Sequence, residues 1–293
     1  VRLKDVFHLF IDAFTEWNED RGTRLGAAVA YFTIFSLAPL LVVVIAVAGR
    51  VLGEKAVRGD IVGQIAGLVG LNTAELIQTM IVEAGKPKTG LVATVIGVVT
   101  LLIGTTGLFA ELQDDLNTIW KIAAKPRGIV ATIRDRFIAF LMVLGIAFLL
   151  LVSLVASAGV AAVGHVLGSA LPASVTVLQL SNFVISLGVG TVLFATIYKV
   201  LPDAEIAWRD VWVGAGVTSF LFTIGQLLIG LYVGYSGAAS AYGAAGSLVI
   251  LLLWVFYSAQ ILFFGAEFTR VYANRFGQHV RPTGDATSMV RSR

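Results

Sequence analysis

The sequence predicts an all-α fold: a polytopic membrane protein of six transmembrane helices, an amphipathic N-terminal helix and a small helical extracytoplasmic cap. Three observations predict it. Hydrophobic residues make up 57% of the 293 positions before the 31 glycines are counted, and charged residues only 13%, against about 25% in soluble domains. A soluble core of this size could not hide so much apolar surface, and a disordered chain would be polar and charged. Six apolar runs, at 25–49, 90–110, 137–163, 178–200, 211–234 and 243–264, are each long enough to cross a hydrocarbon core about 30 Å thick at about 1.5 Å per residue. Together they contain one charged residue, Lys199, as expected where a central charge costs on the order of 2.5–3.5 kcal/mol.

Taken in order, residues 1–24 read as a cytoplasmic amphipathic helix. Leu3, Val6, Phe7, Phe10, Phe14 and Trp17 recur at three- and four-residue intervals, with Lys4, Asp5, His8, Asp12 and Glu16 on other faces. That pattern suits a helix at the membrane interface or against the bundle. The membrane domain then occupies 25–276. No cleavable signal is expected, because the first apolar run is late and too long for a signal core. Residues 50–89 predict the helical cap, with one helical pattern through Val57, Ile61, Ile65 and Leu68 and another through Leu76, Ile77, Met80 and Ile81. Asn72 and Glu75 open the second of these, and Gly85 and Pro87 close it. Beyond the second span, Leu112, Leu116, Ile119 and Trp120 continue a helix face to an interfacial tryptophan. The polar tail, 277–293, is predicted to be disordered.

Charge sets the orientation. An even number of spans puts both termini on one side, and 16 of the 21 Lys and Arg then fall on that side, leaving 5 in the 50–89 loop. Basic excess marks the cytoplasmic side, so both termini are expected in the cytoplasm.

Several polar and helix-breaking residues stand out against this apolar background. Pro39 withholds the backbone donor that would bond the Phe35 carbonyl, and Ser36 and Thr33 lie nearby. Either the kink and the two hydroxyls line a hydrophilic path, or the Ser36 and Thr33 hydroxyls simply bond the preceding turn or a neighbouring helix. Asn117 is placed to cap or cross-bond helix ends, or to serve a site. Lys199 and Pro202 read as a helix exit with a snorkelling lysine. Gly243, with Gly246, allows close helix approach or a flexible external gate. Glu267, at the end of the last span, is either a proton carrier or cation partner, with Lys199 or Arg270 beside it, or a water-exposed interfacial acid.

Four stretches in the order of the spans, AAVAYFTIFSLAPLL (27–41), LFAELQDDLNTIW (108–120), YKVLPDAEIAW (198–208) and YGAAGSLVILLLWVFYSAQILFFGAEF (242–268), resemble the YihY/BrkB family of bacterial inner-membrane proteins. The resemblance implies six transmembrane helices with both termini inside. It also carries an old label, tRNA-processing ribonuclease, which the residues do not favour. His8 and His279 are expected on one side of the membrane and His165 on the other, and no metal-ligand spacing such as HxE, CxxC or HxxxH occurs. The chain has no cysteine, which removes disulfides, thiolate metal sites and cysteine nucleophiles. No catalytic, cofactor or metal residues are assigned, and no enzyme activity or nucleic-acid partner is expected. The expected function is that of a transporter or flippase-like handler of a lipid or other amphiphilic envelope substrate. A non-transporting scaffold for envelope assembly is the alternative. Membrane lipids are the expected partners, with a lipid-like substrate and a homo-oligomer left open.

Overall fold

The computed structural model describes residues 3–52, 63, 71–85, 107–124, 145, 174–236, 246–284 and 286–289. These are mostly helical. In chain order the helices are α1 (Leu3–Glu19), α2 (Gly22–Leu52), α3 (Leu71–Gly85), α4 (107–119), α5 (Ser174–Val200), α6 (Trp208–Ser236) and α7 (Gly246–Phe276). Four short strands accompany them: β1 (Ile122–Ala124), β2 (Ala204–Glu205), β3 (Arg281–Pro282) and β4 (Ala286–Ser288). Among the described residues three segments are long and apolar enough to cross a membrane, Phe183–Val200, Trp208–Ile229 and Gly246–Phe276. The expected span at 137–163 apart from Gly145, most of that at 90–110, the first cap helix and Gly243 lie outside the described residues.

The last helix is the hub. α7 packs against α6, α2, α1 and α3, while α5 packs along α6 and reaches α7 through Tyr198. α6 and α7 run antiparallel in close contact, through two Gly-xxx-Thr pairs. Thr218 Oγ1 donates to the Gly214 carbonyl at 2.8 Å, and Thr269 Oγ1 donates to the Gly265 carbonyl at 2.6 Å. Each threonine thereby folds its hydroxyl onto its own helix and faces the other helix's glycine. A Cβ on Gly214 would lie 1.7 Å from Thr269 Oγ1, and one on Gly265 would lie 1.9 Å from Thr218 Oγ1. Only hydrogen fits at either position, which is how small residues bring membrane helices together. Tyr198 of α5 seals the join, its hydroxyl donating to the Leu262 carbonyl at 2.7 Å and lying 3.0 Å from Thr218 Oγ1.

One core joins α4, α5, α6 and α7 around Leu116, Ile119, Phe194, Tyr198, Val211 and Phe263. A second joins α2, α3 and α7 through Ala30, Ile77, Ile81, Leu251 and Val255. On α6 the buried positions Val211, Ala215, Thr218 and Ile229 follow a helical stripe, and Trp212, Phe220, Ile224, Leu227 and Leu231 on the other face are exposed. In a membrane protein such an apolar face is the lipid-facing one.

α7 runs on to Phe276, beyond the apolar span expected at 243–264, because Ala266, Phe268 and Ala273 continue its buried face and its charged residues are paired. One expectation differs from the structure. The tail after Gly277 is not wholly disordered: β3 pairs antiparallel with β2, and β4 with β1. Asp210 accepts the Gln278 N–H at 2.9 Å and so redirects the chain as it leaves α7. The Thr283 and Met289 N–H groups then donate to the carbonyls of Asp203 and Lys121. Polar composition suggested a solvated tail, but these backbone bonds need no apolar side chains to form.

Candidate functional site

At the foot of α7 five charged side chains meet. The last turn of α1 presents Glu16, and Asp20 follows in the turn to α2, four residues on and therefore on the same side. α7 presents Glu267 and Arg270, three residues apart. Lys121 arrives just after α4, where a left-handed backbone (φ 56°) ends the helix and starts β1. Arg270 bridges two acids, lying 2.9 Å from Glu267 Oε2 and 2.6 Å from Glu16 Oε2. Lys121 pairs with Asp20 and lies 3.9 Å from Glu16 Oε2.

Burial deepens inward along this network. The Glu16 side chain is 36% exposed, that of Arg270 10% and that of Glu267 0%. An open groove of about 490 Å³ between α1 and α7, with Asp12, Glu16, Arg270 and Arg275 among its walls, brings water to the outer end. Arg275 and Asp12 pair across it at 3.2 Å. At the inner end Glu267 Oε1 and Asp20 Oδ2 are buried without a hydrogen-bond partner. Three acids and two bases leave one formal negative charge in excess.

Oxygens of Glu16, Asp20 and Glu267 lie within 4.8 Å of one another, a donor set that could hold a cation. Arg270 and Lys121 already occupy its charge, however, so the arrangement reads as an ion-pair network rather than a metal centre. Such a network is costly to desolvate and does not by itself indicate stability. Its chemical capacity is exchange: a polar group entering the groove meets a half-exposed acid and, behind it, a guanidinium with donors in a fixed fork.

The other sequence-predicted residues lie elsewhere. Ser36 is buried in α2 and donates to the Phe32 carbonyl at 2.6 Å, while Thr33 donates to the Val29 carbonyl. Both hydroxyls bond the preceding turn. Pro39 lies within α2. Lys199 donates to the Ile206 carbonyl at 2.5 Å and stands 5.8 Å from the centre of the Trp208 ring; its ammonium is used in the turn between α5 and α6, not beside Glu267. Pro202 is buried just beyond the end of α5.

Asn117 holds the same turn from α4. Its amide donates to Asp203 Oδ2 at 2.9 Å and its carbonyl accepts the Asp203 N–H at 2.8 Å. Asn117→Ala is expected to destabilise the protein by about 1–3 kcal/mol, the cost of leaving buried partners unpaired, read as a lowered thermal midpoint in detergent. Sequence reasoning missed Glu16, Asp20 and Lys121 as members of the charged network, and the Gly214–Thr218 and Gly265–Thr269 pairs. Only the pairs had a visible signal, the repeated Gly-xxx-Thr spacing.

A second titratable centre lies on α4, outside the three spans. Asp115 is 5% exposed and its Oδ2 has no partner. Burial, reinforced by Glu111 and Asp114, pushes its carboxyl up to about 7, and burial with Asp114 raises Glu111 as well. The folded protein therefore binds a proton that the unfolded chain, with its ordinary carboxyl of 3.8, releases. Stability from this group is present below the unfolded value and is lost as pH rises through the folded one. Asp115→Asn is expected to flatten the fall in thermal midpoint between about pH 4 and pH 7; an unchanged slope would contradict this account.

Comparison with known proteins places this architecture. A UPF0761 membrane protein of Alteromonas mediterranea is 27% identical over 286 residues, covering 95% of this chain and 92% of the relative. Another, of Vibrio vulnificus, is 24% identical and covers 92% of this chain and 82% of its own. A UPF0761 membrane protein of Pseudomonas paraeruginosa is 26% identical over 255 residues, and the match covers 84% of this chain but only 58% of that longer protein. No solved structure matches the chain. The model of the family described as Virulence factor BrkB matches residues 13–289, which takes in the C-terminal part of α1, the three membrane-length segments among the described residues and both tail strands: the chain is a membrane protein of the BrkB family.

Proposed function

We propose that the protein is a non-enzymatic transporter or flippase-like handler of a lipid or other amphiphilic envelope substrate in the bacterial inner membrane, with both termini in the cytoplasm. The observation that carries this reading is the graded burial from half-exposed Glu16 through Arg270 to fully buried Glu267 at the foot of α7. An amphiphile needs a polar station for its headgroup next to an apolar surface for its tail. The groove supplies the first, and the apolar faces of the neighbouring helices supply the second. An anionic headgroup would compete with Glu16 for Arg270, while Glu267 keeps the guanidinium in place.

The test is headgroup accessibility of labelled lipids in proteoliposomes, compared with empty vesicles and with Glu267→Gln. Transbilayer movement above the empty-vesicle rate, lost in the variant, supports the proposal. No movement in folded protein, with and without a proton gradient, overturns it in favour of the scaffold reading. That second reading draws support from the tail strands, which tie the helix ends together as a static platform would.

A further inference from the structure

α1 carries more apolar surface than its packing uses. Its inner face closes on α7: Leu9 and Ala13 are buried with Phe268, and the Phe10 ring lies 4.9 Å from that of Phe268 and 6.2 Å from that of Phe264. Its polar face holds His8, Asp12, Thr15 and Glu19, all exposed. Between the two runs a third stripe, Phe7, Ile11 and Phe14, spaced i, i+4, i+7. These side chains are 66%, 46% and 58% exposed. A helix bounded only by protein and water has no use for such a stripe. A helix lying flat at a membrane surface has three neighbours, namely protein beside it, water above it and acyl chains below it.

The level of α1 along the bundle agrees. Gly214 faces Thr269, and Gly277 faces Asp210, so the exposed Trp208 and Trp212 at the start of α6 stand level with the end of α7. Exposed tryptophans at a span end mark the membrane interface. α1 is tied to that same stretch of α7 by the Glu16–Arg270 and Asp12–Arg275 pairs. Arg21, Arg24 and Arg209 are exposed at this end as well, complementary to anionic headgroups.

We propose that the Phe7, Ile11 and Phe14 stripe is inserted in the leaflet at this end of the bundle, making α1 a lipid-embedded interfacial helix. A second copy of the chain is the weaker occupant, because three side chains fall well short of the roughly 800 Å² per partner of a stable interface. The inference does not depend on lipid transport.

The absence of cysteine makes the test direct. Single variants Phe7→Cys, Phe14→Cys, His8→Cys and Glu19→Cys would carry an environment-sensitive fluorophore in vesicles of phosphatidylethanolamine and phosphatidylglycerol. Shallow doxyl-labelled lipid should quench the Phe7 and Phe14 labels at least about two-fold more than the His8 and Glu19 labels, with aqueous iodide giving the reverse order. Iodide quenching of the stripe without lipid quenching would overturn the proposal. So would stripe labels shielded from both quenchers, which would mean that protein covers them.

Discussion

Arg270→Met is expected to cost about 3–5 kcal/mol of stability, the usual penalty for removing one member of a buried ion pair. The reason lies in the neighbours it leaves behind. Glu267 is fully buried and its Oε2 is held by Arg270, while among the described residues no amide, hydroxyl or basic group donates to its Oε1. Glu16 and Asp20 lie close enough to repel it. The methyl-terminated side chain keeps most of the packing volume, so the loss would report charge rather than a cavity. Adding Glu267→Gln should recover much of the stability, because the amide needs no countercharge. Thermal midpoints of the two variants in detergent would decide the matter. A single variant within about 1 kcal/mol of the parent would mean that the pair is as solvated as a surface bridge.

The second large effect is expected where α6 meets α7. Gly265→Ala puts a Cβ 1.9 Å from Thr218 Oγ1, 2.6 Å from the Tyr198 hydroxyl and 2.8 Å from Thr218 Cβ. A rotated hydroxyl would relieve the first contact but not the third, so the helices must separate. Overpacking of this kind costs about 1–3 kcal/mol, and here it also disturbs the Tyr198 bond to the Leu262 carbonyl. Gly265→Ala should therefore lower the folded yield and the thermal midpoint, with Thr218→Ala giving partial rescue and Thr218→Ser none, since serine keeps the oxygen. Gly188 and Gly216, where an added Cβ meets nothing within 4 Å, are the controls; alanine there should be tolerated.

The helices were legible in the sequence for a simple reason. Apolar runs and their Gly, Pro and charged ends are local, so the exit of α5 near Pro202 and the amphipathic character of α1 could be read from neighbouring residues. A helix expected from Asn72 to Gly85 within the 50–89 loop is seen as Leu71–Gly85. The charged network was not legible as a unit. Glu267 stood out as an acid beside a span, but its link to Glu16 joins residues 254 apart, and no periodicity encodes such a pairing. Asp20 and Lys121 looked like ordinary loop charges. The tail strands were hidden too, because their bonds run through the backbone and leave no side-chain pattern in a polar segment.

Those strands have a consequence for how the molecule is made. Ile122 pairs with Ser288 and Ala204 with Pro282, so β1 and β2 are synthesised long before their partners exist. At about 5–20 residues per second, β1 waits on the order of ten to thirty seconds with an unsatisfied edge. The helices can enter the membrane and pack during that interval, but this end of the bundle stays unlatched until translation has passed the final strand. A chain cut short just after Phe276 would keep α7 whole and lack both fastening strands, a defect that a protease surveying exposed strand edges is well suited to find.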